Sequence, residues 1–272
     1  MKVLLLGDSH INQFRGRGTY FNLGGEVLTG QRLVEGYQPI ETRLQEWLLS
    51  QGGSGSGLVV SLNEVDIRGH YWRHIPRSGD VQQYVRDRVH AFHNRLSNML
   101  VEAKLSRIVL WGAPPAGLNI TNNPHWPFVG STATRNRIID LFNREFAKLV
   151  KPGGPIVFCT GFYQYMNMDT HEPVGHIPSD GVHWADSLAE QFWTDLVNPA
   201  LLTGEQPPIP PGPEYVIGQA EVSNLDQYDS WIRVESGQGY EGHTVEYFGQ
   251  TWELVTQDRV PENRSELVLV NR

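Results

Sequence analysis

The chain has little that would tie it to a special environment. It holds one cysteine, Cys159, in 272 residues. No intrachain disulfide can therefore form, and the fold cannot rely on oxidative staples. Long apolar runs are also missing. The earliest, Val3 to Leu6, spans four residues, against about 7–15 for a secretory core and about 20 for a membrane span. The expectation is a soluble protein without a signal peptide or membrane partner, cytoplasmic or released by a route the sequence does not display. Basic charge is scarce: 22 Lys and Arg against 30 Asp and Glu leave a net charge of −8. That is a poor footprint for wrapping nucleic acid, which needs cations for its phosphates. Internal repeats are absent as well.

What is present fits a loop-rich globular chain. Hydrophobic residues make up 39%, charged residues 19%, and there are 28 Gly and 17 Pro. These values exclude disordered, coiled-coil and collagen-like classes. At roughly 150 residues per domain, the length allows one large domain or one ordinary domain with a small companion.

Over the first 200 residues two periodicities alternate. Lys2 to Leu6, Leu58 to Leu62, Arg107 to Trp111 and Pro155 to Cys159 are short continuous apolar runs, the pattern of buried strands. Between them lie amphipathic stretches. Val81 to Leu100 is the clearest, with Val81, Tyr84, Val85, Val89, Phe92, Leu96 and Met99 on one stripe. Others cover about Ile40 to Leu49, Thr132 to Val150 and Ser187 to Val197. Continuous apolar strands separated by such helices predict an α/β fold with a parallel sheet covered on both faces. The stretch Gly52 to Gly57, GGSGSG, reads as a flexible loop before the second strand.

A break follows at Gln206 to Pro213, QPPIPPGP, which favours an extended linker over helix or central strand. Beyond it the pattern turns to short alternating segments separated by glycine. The organisation expected is an α/β domain at 1–204, a Pro-rich linker at 205–213 and a small β-rich region at 214–272.

Two segments could carry chemistry. The first strand runs into Gly7-Asp8-Ser9-His10, and ligands of open α/β sheets bind at the carboxyl ends of strands. A serine hydroxyl there needs an adjacent base to act as a nucleophile; the plain alternative is a turn that caps a helix. Near the other end, Asp180-Gly181-Val182-His183-Trp184 precedes the last helical stretch. This spacing lets a carboxylate fix an imidazole whose other nitrogen takes a proton from serine; here too a helix cap is the alternative.

Taken together, the two segments resemble the opening and closing blocks of the SGNH (GDSL-type) hydrolase family, over about residues 1–200. The resemblance implies a flavodoxin-like three-layer sandwich around a central parallel sheet, and a serine ester hydrolase that needs no cofactor or metal. It implies Ser9 as nucleophile, His183 as general base and acid, and Asp180 as the residue orienting His183.

The chain departs from the family at two places. His10 stands where leucine usually follows the serine. After the second run, Ser61-Leu62-Asn63-Glu64-Val65-Asp66 replaces the usual Gly-x-Asn-Asp. Asp66 matches the last position, but Val65 takes the place of the oxyanion-donating asparagine. A lost donor of this kind costs about 10²–10³ in rate. Asn63 reaching in from an offset position is the expected substitute, with Arg68 or His70 as alternatives and a plain turn as the bland reading. For the backbone donor, Gly30 is favoured over Gly24 and Gly25 because it opens a helical segment, where amides are free. The oxyanion hole expected is thus Ser9, Gly30 and Asn63.

The segment from Asp66 to His74 is rich in Arg, His and aromatics. Arg68, His70 and Trp72 are expected to contact substrate, since aromatics beside Arg suit a sugar ring bearing an acidic group; the family resemblance adds that the substrate is an O-acyl ester, acetyl in the first place, on a carbohydrate. His90 and His93 are expected to face solvent, and His171 and His176 to rim the pocket. Two other function classes remain open: a binding or structural module on a hydrolase-like scaffold, and a metal-dependent hydrolase using His70 and His74, four apart. The oligomeric state is not legible.

Overall fold

The computed structural model describes residues 1–22, 29–71, 80–117, 130–174, 183–215 and 217, together with three strands between 244 and 271. It is a mixed α/β structure built on a five-stranded parallel sheet of order β2-β1-β3-β4-β5. The strands are β1 (Lys2–Gly7), β2 (Thr19–Tyr20), β3 (Ser56–Ser61), β4 (Arg107–Trp111) and β5 (Ile156–Cys159). All four apolar runs are therefore strands. The short edge strand β2 has no apolar run of its own and escapes the periodicity.

The strands are apolar throughout because both faces are covered. Successive residues alternate between two cores. Leu4, Leu6, Leu58, Val60, Ile108, Leu110, Ile156 and Phe158 enter one; Leu5, Val59, Val109, Trp111, Val157 and Cys159 enter the other. The steps β1 to β3, β3 to β4 and β4 to β5 all move the same way across the sheet. Right-handed crossovers then put their helices on one face. These are α1 (Gly30–Glu35), α2 (Gln38–Gln51), α3 (Val81–Glu102) and α4 (Thr132–Leu149), whose apolar stripes fill the first core.

The opposite face is covered by a 3-10 helix at Ser9–Phe14, through Ile11 and Phe14, and by the last helical segment. That segment was expected as one helix to Val197. It is instead α5 (Ala189–Phe192), a π-helical turn at Trp193–Val197 and α6 (Asn198–Thr203). The expected GGSGSG loop is shorter than it reads. Ser56 and Gly57 belong to β3, paired with Lys2 and Val3, and a Cβ on Gly57 would come within 2.9 Å of Leu201. Sheet pairing and close packing override the linker-like composition.

Residues 204–215 and 217 mark a path from the amino ends of the central strands toward their carboxyl ends. Gly204 packs on the guanidinium of Arg107, which begins β4. Gln206 then accepts from the Phe158 amide (3.4 Å), and Pro213 accepts from Arg144 (2.8 Å). The Tyr215 hydroxyl donates to buried Asp140 (2.6 Å), and Ile217 accepts from the Val81 amide at the start of α3 (3.3 Å). In the region beyond, β6 (Thr244–Tyr247), β7 (Gln250–Val255) and β8 (Val268–Asn271) pair antiparallel in the order β8-β7-β6. No helix among the described residues is long and apolar enough to cross a membrane.

Candidate active site

The strand order reverses beside β1, and ligands of this topology bind at the carboxyl ends of the strands flanking the reversal. Here those are β1 and β3, aligned so that Gly7 faces Ser61. At Gly7 a Cβ would stand 2.4 Å from the Ser61 carbonyl, so only glycine lets the chain turn there. Asp8 caps the following 3-10 helix, its Oδ1 accepting from the His10 amide (2.9 Å). With Ile11 and Phe14 buried below, the turn leaves Ser9 exposed at the strand end.

His183 meets it across 174 residues of sequence: its Nε2 lies 2.7 Å from Ser9 Oγ. Trp184 anchors this approach. It is buried, with its ring 6.2 Å from Trp111 at the end of β4, 4.7 Å from Phe192 and 5.8 Å from Tyr165. Large apolar contact area thus fixes the residue next to the imidazole. Asp180 lies outside the described residues.

Around this pair sits a buried charged group that the sequence reading did not assemble. His10 Nε2 is 3.3 Å from Glu64 Oε2, and Glu64 Oε1 accepts from Arg68 Nε (2.7 Å). Burial alone would raise the Glu64 carboxyl. The Arg68 guanidinium and the His10 bond outweigh it and hold Glu64 at about 2. Asp66, two residues on, behaves oppositely. It accepts from the Gln31 amide (3.1 Å), yet burial dominates and pushes it up to about 7. Asp8 is also raised by burial. A run of ionisable residues after a fully buried strand was the available signal for this group. Its pairing across the β1–β3 reversal was not.

Of the expected oxyanion donors, Ser9 and Asn63 leave aligned positions of neighbouring strands. Asn63 is 3% exposed, and among the described residues its Nδ2 has no hydrogen-bond partner. Gly30 differs from the expectation. Its amide is not free but donates to the Leu62 carbonyl (2.9 Å), because α1 starts against the end of β3. Gly24 and Gly25 lie outside the described residues.

Arg68 is also placed differently from a substrate contact. It is 9% exposed, with its Nε committed to Glu64. The backbone of His70 closes a short π-helical turn at Asp66–His70. Its side chain lies outside the described residues, as do Trp72, His74 and His176. No cluster of metal-ligating side chains occurs among the described residues. His90 is exposed as expected. His93 is partly buried against Phe146 (5.7 Å), and burial lowers its pKa. His171 is no rim residue. It is buried, with its Nε2 2.7 Å from the Tyr215 hydroxyl. Cys159 is buried and its thiol is pushed up by burial, which leaves it inert as a nucleophile.

No family model matches the chain, and no curated protein matches it. Among solved structures, it is similar to a Streptococcus pneumonia protein provisionally described as a platelet activating factor. The two share 15% identity at a TM-score of 0.48, over 71% of this chain and 82% of that one.

Proposed function

We propose that the chain is a serine ester hydrolase of the SGNH type. The observation that carries this reading is the 2.7 Å contact between Ser9 Oγ and His183 Nε2 at the reversal of strand order. Ser9 attacks the ester carbonyl as its proton passes to His183 Nε2. The tetrahedral intermediate collapses, and the departing alcohol takes that proton from His183. Water, deprotonated by the same imidazole, then hydrolyses the acyl-enzyme and frees the serine. Asp180 is assigned to hold the other ring nitrogen. The Ser9 amide and Asn63 Nδ2 are assigned to the oxyanion. Asn63, buried with an unused donor, supports that role better than Gly30, whose amide is already bonded.

The substrate proposed is an O-acyl ester, acetyl in the first place, on a carbohydrate. The His70 to Trp72 stretch, which follows β3 in sequence, is the sugar-facing candidate. Chemistry on this reading is confined to residues 1–204, with the β-rich region beyond 214 outside the reaction.

Release of p-nitrophenol from its acetate ester tests the reading. Ser9→Ala is expected to lose more than about 10³-fold in kcat. Equal rates in wild type and variant would remove Ser9 from the chemistry. A second reading, a carbohydrate-binding or structural module on this scaffold, draws on Val65 at the usual oxyanion position and on the occupied Gly30 amide. Failure of a serine-reactive phosphonate to label the folded protein would favour it.

A further inference from the structure

One buried group beside the reacting pair has no part in that mechanism. The His10 side chain is 3% exposed. Its ring centroid lies 4.6 Å from that of His183, with the planes 30° apart. Its backbone amide is tied to Asp8, so a single turn fixes both this ring and the Ser9 hydroxyl. Glu64 and Arg68 hold its far side.

Resting on the hydrolase reading, we infer that His10 is a positioning residue: its ring lies against that of His183, and the Glu64–Arg68 pair holds it there.

The charges around it support this. Asp8 faces His10 from its own turn, Glu64 and Arg68 from the segment after β3, and His183 from the opposite loop. With His10 neutral, the buried set Asp8, Glu64 and Arg68 carries one excess negative charge; with His10 charged, it balances. An unbalanced buried charge is costly. Burial pushes the His10 imidazole down, but Asp8 and Glu64 outweigh it, and the net direction is up.

The consequence for the reaction is positional: the neighbouring ring restricts rotation of His183 away from Ser9.

The test compares kcat and KM on p-nitrophenyl acetate for wild type, His10→Leu and His10→Phe. In His10→Leu, kcat is expected to fall about tenfold or more with KM unchanged, since misplacement of a reacting group is costly. His10→Phe keeps a ring at the same place and should recover most of kcat.

An unchanged kcat in His10→Leu overturns the inference, and so does an equal loss of kcat in both folded variants, because a merely structural residue would do that. If His10→Leu does not fold by circular dichroism, His10→Phe decides: a kcat near that of wild type supports the role, and a loss of about tenfold overturns it. Ser9→Ala separates the two levels. Activity surviving in it removes the hydrolase reading itself, whereas an inactive Ser9→Ala with both His10 variants at wild-type kcat removes only the positioning role.

Discussion

Asp66 should make the protein more stable as pH falls from about 7 toward about 4, the reverse of what most carboxylates do. The residue is 1% exposed. Donation from Gln31, Thr29 and Gly30 favours its charged form, but burial outweighs these and lifts it from 3.8 to about 7. In the unfolded chain it titrates near its ordinary value. Between the two values the folded state holds a proton that the unfolded state has lost, so unfolding releases a proton and stability declines as pH rises. At ~1.4 kcal/mol per pH unit, the penalty reaches up to ~4 kcal/mol above pH 7. Asp8 and His10, both raised, act in the same direction. Glu64, lowered from 4.5 to about 2, acts oppositely. Its contribution is present above its unfolded value and is lost as pH falls through that lower window. Taken together, Asp66 and Glu64 contribute most to stability near pH 4–5.

Urea unfolding of wild type and Asp66→Asn across pH 4.5 to 8 measures this. The amide oxygen of the variant can still accept from Gln31. The two proteins should be similar at the acid end, with the variant the more stable by up to ~4 kcal/mol at the alkaline end. Parallel curves would refute the reasoning, because they would mean that Asp66 titrates alike folded and unfolded.

Two further predictions concern the oxyanion donor and residues 204–215, a strap that Tyr215 ties to Asp140 of α4. Asn63→Ala should lower kcat on p-nitrophenyl acetate about 10²–10³-fold with little change in KM; an unchanged kcat would return Asn63 to a turn residue. Tyr215→Phe leaves the buried His171 ring without its hydroxyl partner and removes one of three donors to Asp140. It should cost about 1–3 kcal/mol in urea unfolding while esterase activity stays the same, and a smaller loss would show that the strap is held by its apolar contacts alone.

Much of the fold is written locally. The strands announce themselves because burial on both faces leaves no room for polar residues. Helices α3 and α4 do so because one stripe must be apolar. Both patterns need only nearest neighbours to be read. Helix breaks such as the π-helical turn at Trp193–Val197 depend on packing against β4 and β5 and leave no periodic trace. The same holds for Ser56 and Gly57, whose composition suggests a loop but whose backbone pairs with β1.

By itself, then, the sequence determined the α/β class, the positions of four of the five parallel strands, and the two blocks from which Ser9 and His183 come. It did so because each rests on residue type and short-range spacing. Tertiary structure alone decided that Ser9 and His183, 174 residues apart, meet at 2.7 Å. It decided that the Gly30 amide is spent on Leu62 while no described residue accepts from the Asn63 amide, and that Arg68 turns inward to Glu64. It also brought His10 under His183. Each of these depends on which strand lies beside which, and a parallel sheet sets that order through crossovers many residues long. A contact made across such a crossover has no counterpart in local sequence.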